Sequence, residues 1–166
     1  WRARGVDRTA PPPGPRAWRP LAAGLSMPTL TLTLSGTVDP ARAQALSAAL
    51  TDLSTTLLGK RREVTAVIVQ TLPAAQWFID GRAVAQPTAL LAIDITAGTN
   101  SAEQKARFVE AAFAELQRQL APLVVLEGAS YVQVRELPAT DWGYGGLTQA
   151  QRAAQQQHAR QASAAA

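Results

Sequence analysis

The sequence predicts an α+β domain made of two fused β-α-β units, whose four strands form one mixed sheet with two helices on one face. Three observations carry this. Residues 29 to 34, Thr-Leu-Thr-Leu-Thr-Leu, alternate strictly, as a half-buried strand does. Two later stretches, opening near Pro40 and Ser101, carry apolar residues at helical spacing. The chain also repeats itself: Leu34-Ser35-Gly36-Thr37 is matched 62 positions later by Thr96-Ala97-Gly98-Thr99. Leu72-Pro73-Ala74 followed by Trp77 and Gly81 returns, 65 positions on, as Leu137-Pro138-Ala139 followed by Trp142 and Gly146.

In the first unit, about residues 28 to 83, the alternating strand leads through Gly36 to a helix. Asp39 before Pro40 has the chemistry of an N-cap followed by proline at the first helical position. Leu46, Leu50, Leu53 and Leu57 form its apolar stripe, and Gly59 ends it. A strand follows over residues 64 to 70. In the second unit, about residues 88 to 148, residues 89 to 96 read as a strand. Ser101 and Gln104 have capping-box spacing, and Val109, Ala112, Phe113, Leu116 and Leu120 make the helix stripe before Pro122. Residues 130 to 136 alternate as the last strand. Strand-helix-strand in one sheet implies a parallel pair with a right-handed crossover. Both helices then cover one face, and the other face calls for cover by a further subunit, so an oligomer is expected.

Composition removes several chemistries. The 166 residues include no cysteine, which excludes disulfides and thiolate catalysis, and the single histidine, His158, stands in a Gln/Ala-rich tail. A catalytic triad or a histidine metal site is therefore not expected, nor is a bound metal or cofactor. The pI near 10.3 would suggest a phosphate-bearing partner, but its source is local. Residues 1 to 26 hold five arginines against Asp7, a surplus equal to the whole formal charge of +4; from Met27 onward 11 basic residues face 11 acidic ones. No nucleic-acid partner is expected. No apolar run reaches the 18 or more residues of a membrane span and no secretory leader is recognisable, so a cytoplasmic location with no membrane partner is the expectation.

Composition also changes abruptly at Met27, the only methionine. The Arg/Pro-rich residues 1 to 26 show no periodicity and read as a non-native upstream extension of the reading frame or a disordered basic arm, with Met27 as initiator. Residues 149 to 166 are low in complexity and read as a frayed helix or a disordered tail.

Met27-Pro28 opening directly into a strand, Gly36 before a helix, the repeat and the closing Asp141-Trp142-Gly143-Tyr144-Gly145-Gly146 together resemble a fused two-unit member of the oxalocrotonate tautomerase-like group. This group belongs to the tautomerase superfamily, and the likeness covers roughly residues 27 to 148. The resemblance implies the tautomerase/MIF-like fold, a homotrimer, and catalysis by an N-terminal proline, here Pro28 once Met27 is removed. A terminal secondary amine whose cation is disfavoured by its surroundings can take a proton beside a carbonyl, giving keto-enol isomerisation of a small 2-keto or enol acid. With residue 27 attached, Pro28 is an ordinary amide and has no such lone pair. Alternatives within the same superfamily are a hydratase, dehalogenase or decarboxylase, and a further one is a non-catalytic binding protein of the same fold.

Expected substrate contacts are fewer. Related enzymes hold a carboxylate with arginines, one at the start of the first helix, where this chain has Thr37-Val38-Asp39; Ala66 and Ile68 likewise offer no cation in the second strand. Tyr131, Gln133 and Arg135 share one face of the last strand, with a phenol for proton donation and a guanidinium for a carboxylate, or else form a plain solvated face. Trp77 and Trp142 match an aromatic pocket position of related enzymes, with core or subunit packing the alternative. Lys60-Arg61-Arg62 after Gly59 reads as a helix C-terminal charge run complementing the dipole, with attraction of substrate the alternative.

Overall fold

Threonine and leucine in alternation give the first strand a wet side and a dry side, and the computed structural model is built around that division. It describes residues 27–121 and 125–164; the upstream stretch 1 to 26 and Pro122 lie outside the described residues. The elements are β1 (Thr29–Ser35), α1 (Pro40–Leu58), β2 (Ala66–Leu72), the short pair β3 (Phe78–Ile79) and β4 (Arg82–Ala83), β5 (Ala89–Thr96), α2 (Ala102–Leu120), β6 (Tyr131–Leu137), a second short pair β7 (Gly143–Tyr144) and β8 (Leu147–Thr148), and α3 (Gln149–Ala164). The sheet order is β2-β1-β5-β6. β1 runs parallel to β2 and β5 parallel to β6, while the central β1–β5 pair is antiparallel. This is the mixed four-stranded sheet expected of two β-α-β units, each closed by its own two-stranded hairpin. A third helix, α3, follows the second hairpin.

Leu30, Leu32 and Leu34 of β1 and Ala89, Leu91, Ile93 and Ile95 of β5 point to one side and are buried. They meet Leu46, Leu50 and Leu58 of α1 and Phe108, Ala112 and Leu116 of α2 in one continuous core. Val67 and Val69 of β2 and Val132 and Val134 of β6 extend it to the sheet edges, where they are only half-buried.

The helix ends follow the local chemistry. Asp39 accepts the Arg42 N–H at 2.9 Å and Pro40 opens α1. Gly59 closes it in the left-handed conformation, φ 64°, with its N–H on the Thr55 carbonyl. Ser101 and Gln104 form a reciprocal capping box on α2.

The buried faces differ in detail from the sequence expectation. In α1 the stripe runs Leu46, Leu50, Ser54, Leu58 rather than through Leu53 and Leu57, which are half-buried. Ser54 tolerates full burial because its hydroxyl donates to the Leu50 carbonyl at 2.8 Å. In α2 Phe108 takes the place expected of Val109, which is 37% exposed. β2 and β6 begin one or two residues later than expected, since residues 62 to 64 form a short 3-10 turn and Ser130 is used to hold the Ala89 N–H. Residues 149 to 164 are a continuous helix, with Gln149 and Ala153 its buried residues. No helix of the described residues is long and apolar enough to cross a membrane.

Candidate active site

Pro28 stands one residue before β1, on the core-facing alternation shared with Leu30, and is fully buried. Its carbonyl accepts the Ala66 N–H at 3.2 Å, which fixes the head of β1 to β2. The end of the sheet where Pro28 sits therefore gathers the starts of β1 and β2 with the finishes of β5 and β6, because β5 runs opposite to β1.

Register then decides which expected residues come near. Thr29 pairs with Asp94, and Asp94 with Arg135, so Arg135 lies two strands from β1, about 10 Å across the sheet. Its guanidinium is turned toward β5 and clamps Asp94 through two contacts, Nε to Oδ1 at 2.8 Å and an amino nitrogen to Oδ2 at 2.9 Å. Gln133 is one row further away, level with Ala92 and Thr31, and Tyr131 another row beyond, level with Leu90 and Thr33. Tyr131, 57% exposed, is thus at the far end of the same protomer. The shared face of the three side chains is observed; their meeting at Pro28 within one chain is not.

The two tryptophans separate in the same way. β6 ends beside Thr96, so the chain carrying Trp142 leaves the sheet at the Pro28 end, whereas β2 finishes beside Ser35 and takes Trp77 to the opposite end. Both are half-buried. At that opposite end the residue corresponding to Pro28 on the core-facing alternation is Ala89, whose N–H donates to Ser130 Oγ at 3.0 Å. A cavity of about 410 Å³ opens there, lined by Ser35, Thr37, Asp39, Arg42 and Thr88 among others. The doubled fold thus has two comparable ends, with proline at this strand-head position in the first unit and alanine in the second.

Two charged residues at the Pro28 end, Lys60 and Asp94, make contacts that the sequence reading did not give them. Lys60, expected as part of a charge run at the end of α1, is 3% exposed, and its Nζ donates to Thr99 Oγ1 at 3.0 Å and Asn100 Oδ1 at 2.5 Å. Asn100 in turn donates to the Leu58 carbonyl at 2.9 Å, so the lysine joins the end of α1 to the approach of α2. Burial pushes the Lys60 ammonium down to about 8, against the opposing pull of Glu136. Glu136 is itself held below the usual carboxylate range by Lys105, at 2.9 Å, and by the Gly98 N–H. Asp94 is the second. An acid in the otherwise apolar Ala89–Thr96 was its one sequence signal, and its partner Arg135 could be found only from the register.

Among the described residues no group of three or more His, Asp or Glu side chains is placed to hold a metal ion. The Pro28 end of the sheet thus carries a buried cation, Lys60, and, on the open face, the Asp94–Arg135 pair.

No family model matches the chain, and no curated protein matches it. Solved structures do. The native fused 4-OT aligns over 74% of this chain and 96% of its own, with 29% identity and a TM-score of 0.62. The Q0 fused 4-OT, a wild-type symmetric trimer, aligns over 75% of this chain and 98% of its own at 26% identity, TM-score 0.63. Pt0534, inactivated by 2-oxo-3-pentynoate, shares the fold at 16% identity and TM-score 0.65, over 74% of this chain and 96% of its own. The doubled β-α-β unit, its antiparallel junction and these fused neighbours place the chain in the tautomerase superfamily, in its fused two-unit form.

Proposed function

We propose that this chain, when it begins at Pro28, is a cofactor-independent tautomerase that moves a proton between carbon and oxygen of a small 2-keto or enol acid, working as a homotrimer. One observation carries the reading: a proline at the head of β1, anchored through its own carbonyl to Ala66, so that loss of the preceding residue leaves a secondary amine in a fixed position. Its counterpart Ala89 lacks that chemistry, which limits each chain to one such centre. Burial at the head of β1 disfavours the ammonium form of such an amine. That base takes the proton from the carbon next to the keto group, the electron pair moves to the carbonyl oxygen as an enol, and the ammonium returns the proton in the reverse step. Arg135, Gln133 and Tyr131 lie on the open sheet face, where a trimer would bring them to a neighbour's site; Trp142, and Trp77 from a neighbour, would wall it.

The decisive assay is enolisation of phenylpyruvate by protein beginning at Pro28, followed by absorbance. Pro28→Ala should lose at least about a hundredfold in kcat/KM, as removal of a general base does, and protein retaining residues 1 to 27 should be equally inert. Equal rates in all three forms would overturn the proposal. Treatment with 2-oxo-3-pentynoate gives an independent reading, since conjugate addition of the Pro28 amine to its alkyne leaves a covalent adduct visible by mass spectrometry.

Asp94 favours a second reading. It places a carboxylate on the open face beside Thr29, the feature a water-adding reaction needs. Under that reading 2-oxo-3-pentynoate is hydrated rather than bonded to Pro28, and Asp94→Asn abolishes hydration while sparing enolisation.

A further inference from the structure

The hairpin β7–β8 and the first turn of α3 concentrate buried polar atoms that no described residue serves. Gly143 pairs with Thr148 and Tyr144 with Leu147. One step outside this ladder the Gln149 N–H donates to the Trp142 carbonyl at 3.0 Å, so Trp142 and Gln149 stand opposite one another. Arg152, one helical turn on, folds back over the same hairpin. Its guanidinium carbon lies 3.6 Å from the centre of the Tyr144 ring, and an amino group donates to the Tyr144 carbonyl at 2.7 Å. Gln149 is 2% exposed. Both of its amide atoms, Trp142 Nε1 and Arg152 Nε are buried without a hydrogen-bond partner among the described residues. Leaving such an atom unserved is costly, and four of them in one hairpin and the helical turn that follows are a heavy penalty for a surface element.

The kind of group that would serve them follows from their chemistry. Indole and guanidinium nitrogens donate only, and the glutamine amide adds two donors against one acceptor oxygen. Donors therefore dominate, one of them belongs to a permanent cation, and Gln149–Ala164 contains no acidic residue. The complement is a compact anionic acceptor, for which a carboxylate is the natural size and charge. A cavity of about 280 Å³ opens beside the hairpin, lined by Trp142, Tyr144 and Leu147 with Thr140, Asp141 and Thr148 among others, so that Trp142 borders it while Gln149 and Arg152 are not among its lining residues. The hairpin also follows β6 at the sheet end that carries Pro28.

We infer that Trp142, Gln149 and Arg152 together bind the carboxylate of the substrate, a role that the apolar and uncharged residues at Thr37 and Ala66 leave open. The link to turnover rests on the function proposed above; the binding itself does not. Gln149 and Arg152 lie in what reads by composition as a featureless tail, so α3 acquires a purpose: its first turn carries two of the three ligands.

The test uses the full chain labelled with 15N, titrated with phenylpyruvate and with its methyl ester, while the Trp142 indole N–H resonance, assigned through Trp142→Phe, is followed. The acid should shift that resonance saturably and the ester should not. Arg152→Met and Gln149→Leu should each weaken binding of the acid about tenfold or more, the loss expected for a hydrogen bond to a charged group. In turnover both should raise KM with kcat little changed. Far-UV circular dichroism and the thermal midpoint of each variant show whether α3 still forms. A Trp142 resonance indifferent to phenylpyruvate, or one that moves equally with the ester, would show that an internal water serves these atoms and would overturn the inference. Because binding is read without turnover, an inactive Pro28→Ala protein that still shifts Trp142 supports this site. A wild-type protein that binds at Trp142 yet never enolises phenylpyruvate sinks only the catalytic reading.

Discussion

Lys60 shows how far a single residue can depart from its local context. By position it follows a helix C-cap, where a lysine normally reaches into water and complements the dipole. Here the chain turns inward after Gly59 and the ammonium is shared between Thr99 and Asn100, joining the two units. Burial disfavours its charged form and brings it down to about 8, from an ordinary value of 10.5. Below about pH 8 the lysine is protonated in both states and the fold carries the desolvation penalty. Between about 8 and 10.5 the folded protein has released the proton while the unfolded chain still holds it, so this contribution makes stability rise with pH through that window. Thermal melts from pH 7 to 10.5 should show a rising component that Lys60→Met removes; the readout is the slope, since the variant also strips Asn100 of a donor. Glu136 works in the opposite sense. Its carboxyl is held low chiefly by the hydrogen bond from Lys105, so its stabilisation is present above the ordinary carboxylate value and is lost as pH falls through the lowered one. Glu136→Gln should flatten the acid side of the same curve.

At the level of the elements, the helix ends are where local chemistry and structure agree most closely. Gly59 adopts φ 64°, and a β-carbon placed there would meet nothing within 4 Å. Gly59→Ala should therefore cost about 1 kcal/mol through backbone strain alone, measurable as a fall in urea midpoint at unchanged m value. Caps were legible because Asp39, Pro40, Gly59, Ser101 and Gln104 act within a single turn. Helix faces were legible only in part. Phe108 against Val109 and Leu58 against Leu57 are choices between adjacent positions, settled by how α1 and α2 lean on each other and on the sheet, which no single-helix pattern contains. The site divides similarly. Pro28 announces itself through the strand it begins, while Asp94 with Arg135 needs the β5–β6 register and Gln149 with Trp142 needs a hairpin closed across seven residues. Composition left α3 open between a frayed helix and a disordered tail, because glutamine and alanine carry no periodic signal.

For the molecule as a whole, the decisive property is that the described helices α1 and α2 cover one face of the sheet and no described element covers the other. Helices α1 and α2 bury the leucine side of β1, whereas the other side runs in rows across all four strands: Ala66–Thr29–Asp94–Arg135, Ile68–Thr31–Ala92–Gln133 and Gln70–Thr33–Leu90–Tyr131. Ile68 is 51% exposed, Leu72 40% and Tyr131 57%, all along the two edge strands, while Thr33 and Ala92 at the centre of the same face are already buried by their neighbours. A face of mixed polarity with Ile68, Leu72 and Tyr131 exposed on its edge strands is suited to contact with other copies at its margins, and a β2 or β6 edge offers unpaired backbone groups for such a contact. Ile68→Asp therefore separates folding from assembly. The side chain contributes nothing to the core, so the helical content and thermal midpoint of the separated subunit should change by no more than a surface substitution changes them, about 0.5 kcal/mol. A charge set into a buried subunit contact with no partner is far more costly, and sedimentation should show the trimer proposed here giving way to monomer. Activity adds the last discrimination. If Gln133 and Tyr131 serve a neighbour's Pro28, the monomeric variant loses enolisation while keeping the carboxylate-dependent shift of Trp142, whose three ligands all belong to one chain. An Ile68→Asp protein that remains trimeric would show instead that the copies meet elsewhere than on this face.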